Sequence, residues 1–418
     1  MERARTSSRD IRLFARVSTL AVGLAVRLAI GLPLAFAAAG CARDAKPPTW
    51  QAPASQPWRE RIDQEWQVVD EQIGQAVRDN RIVGAEVALV TPEGWSARGF
   101  GWATGTTRPD ERTVFEIGSV SKVFTGTLLA DMMIKGEISL GQPAQTLLPS
   151  GVKMPRSASR SITLMDLATH MSGMPRLPPN MKRRNRADPY ADFTTDDLYV
   201  GLGKTRLDAE PGVANEYSNY AVGLLGQLLV NRADVDDYET LLRQRIVEPL
   251  GMNDTSIVLN DDQQARFAWP HDKDKRRNSP WNIPGLAGAG GIRSTARDMA
   301  VFVQAVLGQG SPISQASREA LMPRGTSREG DWDQGLGWVV RRDRTVAWHN
   351  GATGGFHTYV GIDLMGSVGV VILCNTANRE IDTMGARILR KVKGSIGSQP
   401  MATLGDGPGA PGQEIASR

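Results

Sequence analysis

The stretch Phe115-Glu116-Ile117-Gly118-Ser119-Val120-Ser121-Lys122 leads from a short apolar run, through a glycine, into Val120–Met133, a long apolar segment with helical spacing. A helix opening at Ser119 puts Lys122, three positions on, on the same face, so that its amine can approach the serine hydroxyl. A serine hydroxyl is a weak nucleophile until a base takes its proton, and a lysine kept neutral by desolvation can be that base. The start of a helix adds unpaired N–H groups and the positive end of the helix dipole, both favourable to a developing oxyanion. Taken alone, the same residues also fit a plain helix start in which Ser119 caps and Lys122 is solvated.

Two further short motifs follow in order, Tyr217-Ser218-Asn219 and His349-Asn350-Gly351. Each is too short to carry weight without structural context. Ser150-Gly151-Val152-Lys153 repeats the serine–lysine spacing, but it follows Pro149 and contains a glycine, which predicts a loop unable to hold the pair in register.

Longer segments are more specific. The 115–122 stretch, Ile162-Thr163-Leu164-Met165-Asp166-Leu167-Ala168-Thr169-His170, Gly290-Gly291-Ile292-Arg293-Ser294-Thr295-Ala296 and Gly351-Ala352-Thr353-Gly354-Gly355-Phe356 together resemble class C β-lactamases and the related penicillin-binding serine peptidases and esterases. The resemblance spans about residues 60–393. It implies an α/β fold of the α+β kind, in which an antiparallel sheet flanked by helices carries an inserted all-α lobe. It also implies that Ser119 becomes acylated, with Lys122 and Tyr217 handling the proton. Tyr217 is expected across the cleft as hydrogen-bond partner or base, its phenol perturbed by nearby cations. Asn219 is expected to hydrogen-bond the side-chain amide of the substrate, and Asn350 and Gly351 to join in substrate binding. The backbone N–H groups of Ser119 and Ala352 would form the oxyanion hole.

One position departs from the pattern. β-Lactamases of this group usually have lysine where this chain has His349, and that lysine attracts the carboxylate of the antibiotic. A histidine is largely neutral near pH 7 unless a carboxylate raises its pKa. His349 therefore points toward a D-peptidase or esterase, with β-lactam hydrolysis as a close alternative. A non-catalytic receptor that binds cell-wall fragments is the reading from another class. The implied substrate is a small molecule or cell-wall peptide, and no cofactor is implied.

Periodicity organises the rest of the chain. Ile62, Trp66, Val69, Ile73 and Val77 mark an amphipathic helix, and Ala85–Val90 with Trp95–Trp102 flank the turn signal Thr91-Pro92-Glu93-Gly94. Trp338–Arg341, Thr345–His349, Tyr359–Asp363 and Val368–Leu373 read as an antiparallel meander, followed by a helix carrying Ile381, Met384, Ile388 and Val392. A lone hairpin is marginal, so the strands at the two ends are expected to share one sheet. The hydrolase domain thus spans 58–393, with a sheet lobe from about 58–130 and 290–393 and a helical lobe over about 131–289. Residues 394–418, rich in Gly, Pro and Ser, are expected to be disordered. Arg176 and Leu177, after Gly173-Met174-Pro175, are expected to border the cleft without a catalytic part. Asp166 and Asp298 suit helix starts, Asp298 in a box-like pair with Thr295.

Residues 1–40 read as an export signal: six arginines, an apolar run Leu28–Ala39, then Ala38-Ala39-Gly40-Cys41, which resembles a lipoprotein cleavage site with Cys41 as the lipid-bearing residue. Residues 41–57, with four prolines, would be a linker lifting the domain off a membrane. The expected location is the cell envelope, with the domain anchored by Cys41 and facing the periplasm or exterior. Those first forty residues carry a net charge of +4, equal to that of the whole chain, so the body is balanced. A balanced body argues against nucleic acid as a partner. The runs Lys182-Arg183-Arg184 and Lys273–Arg277 are expected to be solvated loops. Cys374 lies in an apolar run and reads as a buried hydrophobe, and the four histidines (170, 271, 349, 357) lack metal-ligand spacing.

Overall fold

Ile62, Trp66, Val69 and Ile73 line the buried stripe of the first helix, Pro57–Val69, which continues through a π-turn, Asp70–Gly74, into Gln75–Arg78. The computed structural model describes residues 57–182, 185–324 and 330–396. The export signal, Cys41, the linker up to residue 56, Arg183, Arg184 and the tail from 397 lie outside them.

After the helix comes the expected hairpin, β1 (Gly84–Thr91) and β2 (Gly94–Gly101), closed by hydrogen bonds between Thr91 Oγ1 and the backbone of Gly94. Two strands of three residues follow, β3 (Val114–Glu116) and β4 (Arg293–Thr295), far apart in sequence and joined in a separate two-stranded sheet. The C-terminal meander is β5 (Trp332–Gln334), β6 (Val339–Arg341), β7 (Val346–Ala352), β8 (His357–Asp363) and β9 (Val368–Cys374). The large sheet has the order β2-β1-β9-β8-β7-β6-β5, and all its pairs are antiparallel. The N-terminal hairpin joins the C-terminal meander where β1 lies against β9, Ala85 opposite Cys374 and Val90 opposite Gly369.

Every residue of β1, β8 and β9 is buried, because helices cover both faces of the sheet. The side chains sort by the two-residue period. Val87, Leu89, Val370 and Ile372 pack on one face with the first helix and with Ile381, Met384, Ile388 and Val392 of the last helix, Glu380–Ile396. Ala88, Val90, Val371 and Leu373 face the larger core, built with the helices Ser121–Ile134 and Ala296–Leu307, in which Phe124 stacks on Phe302 at 4.2 Å. Among the described residues no named strand lies between 131 and 289, and that segment supplies the helix Asn219–Ala233 and shorter ones.

Some expectations need correction and others hold. The last helix runs three residues past Lys393, because the 3.6-residue pattern is still satisfied there. β3, β4 and β5 are too short to show a period of two. Asp166 closes a full capping box with Thr163, whereas Asp298 receives only half of one. Its carboxylate instead accepts from the Asp254 N–H and the Thr255 hydroxyl, both at 2.8 Å. Ser150–Lys153 lies in a loop, with Gly151 at φ +85°. Cys374 is fully buried, and burial pushes its thiol up to about 12.

Candidate active site

Ser119 sits in a 3-10 turn, Gly118–Val120, which feeds the Ser121–Ile134 helix. Gly118 takes φ +50°, a left-handed conformation that glycine adopts at little cost. The helix is apolar on all sides and buried, so it serves as the axis around which the other elements assemble. Ile292 clamps its start, accepting the N–H of Ile117 at 3.1 Å and donating to Ser121 Oγ at 3.1 Å.

Lys122 is fully buried, and its Nζ has three partners: Ser119 Oγ at 3.0 Å, Asn219 Oδ1 at 2.8 Å and the Ala289 carbonyl oxygen at 2.7 Å. Two of these can only accept. The serine hydroxyl can also donate, so a neutral amine would give its two N–H bonds to Asn219 and Ala289 and turn its lone pair to Ser119. Burial, with Arg176 as a second cause, holds the Lys122 pKa well below the ordinary lysine value. The geometry accommodates the neutral amine, and burial favours it.

Tyr217 shares a hydrogen bond with Ser119. Lys122 Nζ lies 4.9 Å and the Arg176 guanidinium 5.0 Å from its ring centre. The cations are where the sequence put them, but burial outweighs them and pushes the phenol up to about 12. Tyr217 is therefore a protonated phenol at neutral pH, suited to relay a proton rather than to hold a standing negative charge.

Asn219 is the first residue of the Asn219–Ala233 helix, capped by Ser218, whose Oγ accepts the N–H of Ala221 at 2.9 Å. Its Oδ1 is committed to Lys122, which leaves Nδ2 for a ligand. His349 lies on β7, buried, with Nδ1 donating to the Asn350 carbonyl at 2.6 Å. That bond fixes the tautomer and leaves Nε2 as an acceptor. Burial, then Lys122, hold its pKa down to about 4, so it is neutral at pH 7.

Asn350 does not join this group. The two-residue period of β7 sends its side chain to the opposite face from His349 and Gly351, where Nδ2 donates to Asp382 Oδ2 at 2.7 Å. The other oxygen of Asp382 accepts from His357 Nε2 at 2.8 Å, so this carboxylate anchors β7 and β8 to the last helix. Gly351 is needed for contact of a different kind. A Cβ there would meet the Ile117 carbonyl oxygen at 1.9 Å, and one on Gly118 would meet the Ala352 nitrogen at 2.8 Å. With neither present, β7 runs against the serine turn and brings the Ser119 and Ala352 nitrogens to one place, as an oxyanion hole requires. A small cavity of about 30 Å³ opens there, lined by Ser119, Asn219 and Ala352 with Tyr190 and Trp281.

The sequence profile of the beta-lactamase family matches residues 69–393. The chain belongs to this family. It is 30% identical to the D-alanyl-D-alanine-carboxypeptidase/endopeptidase AmpH of Escherichia coli over 285 residues, covering 64% of this chain and 72% of that one. It is 29% identical to a beta-lactamase of the same organism, covering 63% of this chain and 76% of the relative. The fold matches the crystal structure of a beta-lactamase/D-alanine carboxypeptidase from Yersinia pestis with a TM-score of 0.69 and 26% identity, over 80% of this chain and 99% of that one. A Pseudomonas syringae beta-lactamase/D-alanine carboxypeptidase gives a TM-score of 0.68 at 24% identity, over 78% of this chain and 99% of that one. The protein is a β-lactamase-related serine hydrolase.

Two members of the site escaped the sequence reading. His170 stacks on Tyr217 with ring centres 4.5 Å apart and accepts the Ser218 N–H on Nδ1 at 3.2 Å. It is buried at φ +60°, and burial, then Lys122, keep it neutral. Glu116, three residues before the serine, accepts the Trp281 N–H at 2.7 Å and so holds the wall of the cavity. Burial raises its carboxyl to about 7 despite Arg293. Among the described residues no group of His, Cys, Asp or Glu could hold a metal ion, and no helix is long and apolar enough to cross a membrane.

Proposed function

We propose that this protein hydrolyses D-amino-acyl amides or esters of cell-wall peptides through an acyl-enzyme on Ser119. The observation that carries the reading is the set of partners around Lys122 Nζ: two obligate acceptors and one hydroxyl, in a buried site that disfavours the ammonium. Lys122 takes the Ser119 proton, and the oxygen attacks the carbonyl carbon. The resulting oxyanion rests on the backbone N–H groups of Ser119 and Ala352. The tetrahedral adduct then collapses. Tyr217, as a neutral phenol, passes the proton to the leaving amine or alcohol, and water later releases the acyl group. Asn219 Nδ2 holds the amide on the acyl side. A receptor without catalysis would have no use for a desolvated lysine against a serine hydroxyl.

The carboxypeptidase/endopeptidase among the relatives supports a peptide substrate. Relatives named beta-lactamases support a second reading, hydrolysis of β-lactams. A neutral His349 disfavours it, since β7 then offers no cation to the antibiotic carboxylate. The arginine-rich start, the apolar run and Ala38-Ala39-Gly40-Cys41 support export and anchoring through a lipid on Cys41.

The deciding experiment is the intact mass of residues 42–418 after mixing with a penicillin, beside Ser119→Ala. A lasting adduct on the wild type alone supports the penicillin-binding peptidase. Consumption of penicillin without an adduct, again only with Ser119, makes it a β-lactamase. Intact penicillin with no adduct, together with no turnover of D-alanyl esters, overturns the acyl-enzyme reading.

A further inference from the structure

Gly173-Met174-Pro175-Arg176 is stapled to the start of the Asn219–Ala233 helix. Ser218 Oγ donates to the Pro175 carbonyl at 2.7 Å, and the Arg176 carbonyl accepts the N–H groups of Asn219 at 3.1 Å and Tyr220 at 3.2 Å. Gly173 stands at φ +69° against the Ala209 carbonyl, where a Cβ would come within 1.8 Å. The backbone of Arg176 is therefore fixed beside Asn219, the residue that would hold the acyl-side amide. Its guanidinium reaches back over the Tyr217 ring at 5.0 Å and is exposed. No hydrogen bond or salt bridge to a carboxylate engages it among the described residues.

This is unusual for the cations around the site. Arg160 is paired with Asp166, and Arg293 is spent on the Ile257 and Trp281 carbonyls and Asn282. Lys122 is turned to Ser119, and His349 is neutral. A guanidinium left free on a rigid platform, beside the amide-binding residue, is suited to a planar bidentate acceptor.

We propose that Arg176 forms an anionic subsite on the acyl side of the scissile bond, selecting substrates whose acyl portion carries a carboxylate. This rests on the proposed acyl-enzyme reading for the direction in which the substrate lies. A free carboxylate on the residues that precede the scissile D-alanyl bond, as in acidic wall peptides, is the chemistry it would recognise.

The test uses two esters that differ only in charge, N-glutaryl-D-alanyl-D-lactate and its glutaramide counterpart. Their Kd values are measured on Ser119→Ala, which binds without turnover. The expected result is about tenfold tighter binding of the glutaryl ester. That preference should vanish in Ser119→Ala/Arg176→Gln and return in part with Arg176→Lys. Equal affinities with Arg176 present, a preference that survives Arg176→Gln, or binding of neither ester at millimolar concentration overturns the subsite. Turnover of the glutaramide ester by the wild type reports the reaction separately, so loss of the preference alone leaves the acyl-enzyme reading standing. If Arg176 acted only by depressing the pKa of Lys122, Arg176→Gln would shift the pH profiles of both esters equally and leave the ratio of their kcat/KM unchanged. That result also sinks the proposal.

Discussion

Gly351 and Ile117 stand closer than any side chain would permit: a Cβ on Gly351 would lie 1.9 Å from the Ile117 carbonyl oxygen and 3.0 Å from the Ser119 nitrogen. The hydrogen-bonded register of β7 with β8 fixes where Gly351 sits, opposite Thr358. Extra bulk must therefore push the serine turn away from the strand. Gly351→Ala is expected to leave the sheet folded but to separate the two oxyanion donors, slowing Ser119 acylation by roughly 100-fold or more. Circular dichroism checks the fold, and intact mass against time after adding penicillin or a fluorophosphonate checks the rate. Labelling within a fewfold of wild type would mean that Ala352 does not contribute.

Lys122 gives a prediction with a definite sign. Burial holds its pKa well below the ordinary value, so the neutral base is present at pH values where an exposed lysine is protonated. Acylation should rise with pH as Lys122 loses its proton and level off well short of 10.5. Lys122→Arg keeps a cation that cannot deprotonate, and it should lower acylation by about 100-fold or more at every pH tested. A variant that still acylates within tenfold of wild type would assign the base elsewhere, with Tyr217 next in line.

His170 ties Tyr217 to the capped helix start, and His170→Asn separates its roles. Asparagine tolerates the left-handed backbone at φ +60° and its Oδ1 can accept the Ser218 N–H in place of Nδ1, but it cannot stack on Tyr217 as an imidazole does. The expected outcome is a fall in kcat of about tenfold with little change in unfolding temperature, since the ring orders a proton relay rather than the core. A KM effect with kcat intact would instead make His170 part of the substrate pocket.

Sequence and structure agree most closely where a pattern is long. The apolar run after Ser119 disclosed the central helix, and the apolar run Val368–Leu373 after a turn signal disclosed β9, because each element is buried along nearly its whole length. Helical spacing allowed the lysine–serine contact, and the resemblance chose it over a plain capped helix start. Tyr217 and Asn219 came from resemblance, since only a tertiary fold brings residue 219 to residue 122. What escaped was set by packing. Asn350 was placed in the cleft by the resemblance, and the two-residue period of β7 sends it to Asp382 instead. His170 stood inside a quoted segment, yet nothing local shows that its ring meets Tyr217, 47 positions away. The Tyr217 phenol moved the other way from a simple count of cations, because desolvation depends on burial, which three letters cannot show.

Glu86 offers a test of electrostatics outside the site. It sits on β1, 1% exposed, with Oε2 lacking a hydrogen-bond partner among the described residues. Burial, then the carboxylates of Asp110 and Glu111, raise its pKa from 4.5 to about 8. Between those values the folded chain keeps a proton that the unfolded chain has released, so the folded state binds more protons and stability falls as pH rises. The loss starts near pH 4.5 and is complete above about 8. Glutamine mimics the protonated acid and removes the dependence. Glu86→Gln should match wild type near pH 4.5 and exceed it at pH 8.5 by up to roughly 5 kcal/mol. Urea unfolding of both proteins at the two pH values measures the difference. A gap that stays constant with pH would mean that the carboxyl reaches solvent or a partner in the folded chain, and that β1 is less tightly covered than its burial implies.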